Sequence, residues 1–179
     1  MIGQELLLPN TSVWLQQKSC KVVEKIFEKL NAFFRGKWRL AVLDLESGRW
    51  TVPPKNSNIP YLKHQNACGR HILIQPDHQG NYLLIDDIDR SIIRRHHQYP
   101  NGRWKPARMV VETSPQNFQV WIYSSRPLSL DEKRYWLNKL HNDPGADPNN
   151  RWGRCPGFRN RKEKYQDSYG HFPLSRLIW

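Results

Sequence analysis

"NYLLIDDIDR", residues 81–90, is the stretch on which the reading of the fold turns. Four strand-forming residues, Tyr82, Leu83, Leu84 and Ile85, run straight into three carboxylates, Asp86, Asp87 and Asp89. A short apolar run bounded by turn residues predicts a buried strand. Acids at the tip of such a strand need a reason. Alternate strand positions share a face, which puts Asp87 and Asp89 on one side and Asp86 on the other. Two carboxylates held together repel each other unless a cation lies between them, and Mg²⁺ or Mn²⁺ prefers oxygen ligands. A second reading stays open: the strand ends at Ile85, and Asp89 caps a short helix in "RSIIRRHH".

Working outward, "HILIQP" (71–76) and "NYLLID" read as two strands separated by "DHQG", which has hairpin chemistry. "ARMVVE" and "FQVWIYS" are two more, joined by the turn "TSPQN". Upstream, residues 12–35 predict an amphipathic helix, because Val22, Val23, Ile26, Phe27, Leu30, Phe33 and Phe34 recur at three- and four-residue steps and Gly36 ends the run. "WRLAVLDL" (38–45) is a strand, "PPKNSNIP" (53–60) a loop and "IPYLKHQNACG" a short helix. "SLDEKRYWLNKLHN" is a helix with Ser129 as N-cap and Glu132 as its capping-box partner. From Asp143 the chain turns rich in Gly, Pro, Asn and Arg, and "PLSRLIW" supplies a last strand. This order predicts an α+β fold with helices covering a mostly antiparallel sheet, in one domain over residues 1–179. Residues 1–60 carry a helix and a strand, and 61–179 carry the polar clusters.

The 179 residues hold 28 Lys and Arg against 16 Asp and Glu, a formal charge of +12. An excess of that size points to a polyanion, nucleic acid before an anionic membrane surface. "MIGQELLLPN" lacks the basic start of a signal peptide, and no stretch approaches the roughly 20 apolar residues of a membrane span. The expected place is the cytoplasm, with no membrane partner. Cys20, Cys68 and Cys155 lack the spacing of a zinc knuckle or a disulfide framework. Asp44 and Glu46 alternate like the acids at 87 and 89, but nothing downstream complements them.

Two polar clusters accompany the acids. In "VVETSPQNFQVWIY" (110–123), Thr113 and Ser114 offer hydroxyls, the turn offers amides, and Gln119 opens the next strand. Small hydroxyls and free amides suit phosphate oxygens. In "RWGRCPGFRNRKEK" (151–164), Arg151, Arg154, Arg159, Arg161, Lys162 and Lys164 crowd a loop stiffened by Pro156, with Trp152 and Phe158 interleaved. Arginine forks onto phosphates and aromatic rings stack on bases.

Together these stretches resemble the RepB-like plasmid primases of the archaeo-eukaryotic primase superfamily, from "NACGRHILIQP" at residue 66 to "FRNRK" at 162. "LLIDDID" is similar to that superfamily's first motif, with Asp87 and Asp89 at its metal-ligand positions. "VETSPQNFQVW" is similar to the second, with Gln119 where other branches carry a histidine. "GADPNNRWGRCPGFRNRK" resembles the third region: Arg154, Asn160 and Lys162 fall at nucleotide positions, and Asp147 is the third carboxylate.

The resemblance implies an RRM-like sheet bearing the catalytic acids and a DNA primase, a nucleotidyltransferase that starts short primers on single-stranded DNA of a plasmid or mobile element. Asp87, Asp89 and Asp147 would hold two Mg²⁺ or Mn²⁺ ions. Ser114, Gln119, Arg154, Asn160 and Lys162 would meet the nucleoside triphosphate, and Arg151, Arg159, Arg161 and Lys164 the template. A helicase or a helical accessory subunit is a further expected partner. The competing class is a single-stranded-DNA-binding replication protein that kept the fold and lost turnover. A nicking relaxase fits poorly, because His96 and His97 are adjacent and face opposite ways on a strand.

Overall fold

The computed structural model describes residues 11–140, 147–148 and 151–179. Its first element is α1 (Thr11–Phe33). Val23, Phe27 and Leu30 fall on one stripe and are buried, while the neighbouring Val22 is 54% exposed. The helix stops where Arg35 and Gly36 take positive φ and the Gly36 N–H donates to the Asn31 carbonyl, a conformation glycine adopts without strain.

Two hairpin-like strands follow, β1 (Trp38–Asp44) and β2 (Gly48–Val52). The sequence reading carried no strand over 48–52. The turn between them is built by Asp44, whose Oδ1 accepts from the N–H groups of Glu46 and Ser47. These bonds, with Arg70, hold the Asp44 carboxyl down to about 2. Then come α2 (Ile59–Ala67), β3 (His71–Pro76) and β4 (Tyr82–Ile88). "DHQG" does not close a hairpin. β3 pairs with β1, whereas β4 pairs with residues 118–123 of a second sheet. The connection is instead pinned from further along the chain: Lys133 Nζ donates to the Gln79 carbonyl at 2.7 Å.

After β4, α3 (Arg90–Ile92) runs into a π-helical turn over 93–97. β5 (Arg108–Ser114) and β6 (Asn117–Tyr123) form the expected hairpin, and α4 (Leu130–Lys139) carries the expected Ser129–Glu132 capping box. β7 (Gly153–Arg154) and β8 (Arg176–Leu177) are short. The sheets run β2-β1-β3-β7 and β4-β6-β5-β8, antiparallel throughout. The fold is thus α+β and antiparallel, as expected, in two sheets.

Two cores explain the apolar run Tyr82–Ile85. Tyr82 and Leu84 join α1, β1 and β3 in the first core, with Trp121 and Met109. Leu83, Ile85 and Ile88 join Val110, Val120, Ile93 and Leu137 in the second. β4 is therefore apolar on both faces until Asp86. The face of the first sheet turned away from the first core carries Leu43, Leu73 and Arg154, which line a cavity.

Candidate active site

The acids at the end of β4 do not alternate. The ladder with β6 is regular from Tyr82 to Ile85 and shifts before Ile88, and Asp87 has φ of +54°. Aspartate tolerates this left-handed conformation better than most residues. A β-bulge of this kind re-aims side chains. As a result Asp86 and Asp87, not Asp87 and Asp89, line one cavity of about 180 Å³ with Gln119, Arg154, Lys162 and Tyr165. The pairing by alternation fails because the strand is not regular there. Asp89 instead caps α3: its Oδ1 accepts from Ser91 N at 2.7 Å and Ile92 N at 3.0 Å. These bonds lower its carboxyl pKa, the Ser91 hydroxyl contributing most. The second reading of "DDID" holds for Asp89.

Each acid of the pair is held. Asp86 Oδ1 accepts from the Asp87 N–H at 2.8 Å, and Asp87 Oδ1 accepts from Asn117 Nδ2 at 3.0 Å. The same Asn117 amide reaches the Tyr165 hydroxyl at 2.9 Å. Burial and the neighbouring Asp87 charge push the Asp86 carboxyl up, while the Gln119 side chain and Arg151 pull it down.

Gln119 ties the two sheets together at this point. It is 4% exposed, hydrogen-bonds Asp86 through its side chain, and takes the Arg154 N–H on Oε1 at 2.7 Å. Both ends of its amide are thus spent within the protein. Gly153 permits this closeness: a Cβ there would lie 2.9 Å from Trp121 Nε1 and 3.2 Å from Gln119 Oε1.

Opposite the acids stand the cations. Burial lowers the Arg154 pKa, and Asp86, Tyr165 and Asp87 raise it. Its Nη1 is buried without a hydrogen-bond partner among the described residues. Lys162 lines the same cavity. His71 lies behind them, its pKa brought down to about 4 by burial first and then by Arg154, Lys162 and Arg161. It is therefore neutral at pH 7 and adds no further positive charge. Trp152 forms another wall, with the Arg49 guanidinium 4.8 Å from its ring centroid.

Other expected residues sit elsewhere. Asp147 is exposed, acts electrostatically on Lys133, and is not among the residues lining the cavity. Ser114 is buried and borders the neighbouring cavity instead; Thr113 takes the place on the acid side. Asn160 lines the acid cavity but is itself buried. Its Nδ2 donates to the Thr113 carbonyl at 3.1 Å, so it anchors the loop after β7 to β5. Arg151, expected on the template surface, is 7% exposed and turned inward, where its charge faces Asp86. Arg161 closes the end of α2, its Nε donating to the Asn66 carbonyl at 2.6 Å. Arg159 and Lys164 are exposed, the latter with Nζ 4.9 Å from the Tyr165 ring centroid.

Alternation assigns Asp86 to the wrong face, the sequence offers Trp152 only as a base-stacking ring, and Asn117 and Tyr165 escape sequence reasoning. Asn117 stands in the polar turn "TSPQN", which is where its signal lies. Tyr165 carries no local signal, since only folding brings residue 165 to residue 117.

Comparison with known proteins bears on the fold and the family. Residues 39–179 match the RepB DNA-primase N-terminal domain family. A Mobilization protein A of Escherichia coli is 29% identical over 165 residues, 87% of this chain and 23% of that protein. A DNA primase of Acidithiobacillus ferrooxidans is 28% identical over 153 residues, 80% of this chain and 42% of that protein. The chain thus spans less than half the length of these curated relatives. Among solved structures, the catalytic domain of primase RepB' in complex with initiator DNA is similar with a TM-score of 0.68 and 25% identity, covering 88% of this chain and 84% of that one. The primase-polymerase domain of cyanophage S-2L shares the fold alone, at a TM-score of 0.55 and 12% identity, covering 87% of this chain and 89% of that one.

Proposed function

The chain belongs to the RepB DNA-primase N-terminal domain family, and from that premise we propose that it is a nucleotidyltransferase starting short primers on single-stranded DNA. The observation that carries this reading is the single cavity in which Asp86 and Asp87 face Arg154 and Lys162. A plasmid or similar mobile element is the setting that the family suggests.

The site suits a hard divalent cation. Two carboxylates share one pocket; burial first and the Asp87 charge second raise the Asp86 pKa, and a cation relieves the repulsion between the two. Asp86 and Asp87 would hold Mg²⁺ or Mn²⁺, which when bound neutralises phosphate charge and activates the attacking 3′ oxygen. The protein's own groups supply the rest. Arg154 Nη1, without a hydrogen-bond partner among the described residues, offers a donor to a phosphate oxygen, and Lys162 adds a second positive charge. Gln119 is a positioning residue: it sets Asp86 on one sheet against the Arg154 backbone on the other. Asn117 and Tyr165 fix the rotamer of Asp87.

A template-dependent extension assay with Mg²⁺ or Mn²⁺ tests the assignment. Asp86→Asn and Asp87→Asn should each cut product by roughly 10²–10³-fold or more. Asp89→Ala should leave the rate within about twofold, since a cap touches no substrate. Wild-type synthesis by Asp87→Asn sinks the reading. Equal loss in Asp89→Ala would restore Asp89 to the site.

One fact favours the alternative of a DNA-binding protein without turnover: among the described residues no group of three His, Cys, Asp or Glu is placed to hold a metal. Titrating nucleotide affinity with Mn²⁺ separates the two. A binder without turnover shows no metal dependence.

A further inference from the structure

Two more cavities continue from the acid pocket. The first, of about 330 Å³, shares Tyr165 with it and lies beneath Phe172, between Glu112, Asp167 and Arg176. The second, of about 420 Å³, shares Arg159 and Leu174 with the first and is lined by Lys63 and Arg161. The three thus form a series joined by Tyr165 and then Arg159.

Their chemistry differs in a telling way. The middle cavity sets two carboxylates, Glu112 and Asp167, against Arg159 and Arg176, so its charge is balanced and a phosphate gains little there. Both carboxylates are fixed: Glu112 Oε1 accepts from Gln116 N at 3.3 Å, and Asp167 Oδ1 from the N–H groups of Tyr169 and His171. Arg176, 3.9 Å from Glu112, adds donors. A neutral planar ring with N–H and C=O edges matches such a mixed set. Phe172 offers an aromatic face, held by the Arg161 guanidinium 5.0 Å from its ring centroid. The Ser114 Oγ at the border is buried with no hydrogen-bond partner among the described residues. The walls are preformed, because Ser175 N donates to the Phe158 carbonyl and Asn160 N to the Pro173 carbonyl. The last cavity is different: its lining holds Lys63, Arg159 and Arg161 and no carboxylate, which suits phosphodiesters.

We propose that the template strand passes Tyr165 from the acid pocket, seats one unpaired base in the Phe172–Glu112 cavity, and lays its following phosphates across Lys63, Arg159 and Arg161. A free mononucleotide is not favoured, because its own phosphates would meet balanced charge there. The inference rests on reading this chain as a template-directed enzyme.

The test is binding alone, by anisotropy of a labelled single-stranded oligodeoxynucleotide without nucleotides or divalent ions. An abasic site is moved through the oligonucleotide one position at a time. At one position, loss of the base should weaken wild-type binding about 10-fold. That dependence should vanish in Phe172→Leu, which keeps apolar bulk and loses the ring. Lys63→Ala should instead weaken every oligonucleotide alike and reduce the salt slope by about 0.7. Should Phe172→Leu fail to fold, Arg176→Ala on the exposed rim gives the same readout. A flat abasic scan overturns the proposal, as does a scan unchanged in these variants. Competition by a nucleoside triphosphate at the Phe172-dependent position overturns it too. Because the scan needs no catalysis, it stands apart from the extension assay. A chain that passes the scan and makes no product loses the primase reading and keeps the base cavity.

Discussion

Asp86 shows how one side chain can cost stability to serve a site. Its carboxyl pKa is raised by burial and by Asp87, so the folded state holds that proton more tightly than the unfolded state does. The stability it contributes is present at low pH and lost as pH rises from the usual carboxylate range through the raised value. Asp86→Asn should therefore melt at a higher temperature than wild type at pH 7, and the gap should close as the pH falls towards 4. Differential scanning calorimetry across pH measures this. Added Mn²⁺ should raise the melting temperature of wild type and not of the variant. Two histidines carry the opposite sign. His71 is lowered to about 4 and His97 to about 3, by burial first and then by neighbouring cations. Their contribution is complete above the ordinary value of about 6.5 and is lost as pH falls below it. Proton NMR of the imidazole C2–H signals should show two rings still neutral at pH 5, and thermal stability should decline from pH 6.5 downward.

At the scale of elements, the bulge in β4 and the shortness of β7 matter most. Gly153 lies against Trp121 and Gln119, so the Cβ added by Gly153→Ala, 2.9 Å from Trp121 Nε1, forces a shift. Overpacking of this kind costs about 1–3 kcal/mol. It also displaces the adjacent Arg154 N–H from Gln119, so product formation should fall along with the melting temperature. Removing the cap with Asp89→Ala acts on α3 alone, lowering the melting temperature by a few degrees without loss of synthesis. These elements differed in how readable they were. The capping box at Ser129 and the "TSPQN" hairpin are local devices, complete within a few residues, and both were legible. β2 hid behind a turn whose signal was a single aspartate, Asp44. β7 has two residues and exists only because β3 pairs with it.

Across the whole molecule, the two sheets meet at Gln119 and Arg154, and the acids lie at that junction. The net charge of +12 surrounds this local negative pair. Binding of single-stranded DNA should therefore weaken steeply with salt, with log affinity falling by about 0.7 per phosphate neutralised for each unit of log salt. Gln119→Ala should cut extension by roughly tenfold or more while leaving that slope unchanged, since Gln119 is buried and meets no template. A parallel loss of salt dependence would move Gln119 into the DNA track.

The chain by itself determined the kinds of element, because hydrophobic period, caps and turn chemistry act over a few residues. It also determined the order of the polar clusters and the excess of positive charge. It did not determine which carboxylates converge. That depended on a positive φ at Asp87 and a register shift against β6. Nor did it decide that β3 and β4 part into separate sheets, or that Arg151 turns inward while Arg159 faces solvent. The reason is the same in each case: the deciding contacts join residues far apart in the chain. Gln119 meets Arg154 across 35 positions and Asn117 meets Tyr165 across 48, so their energies enter only when the sheets have packed.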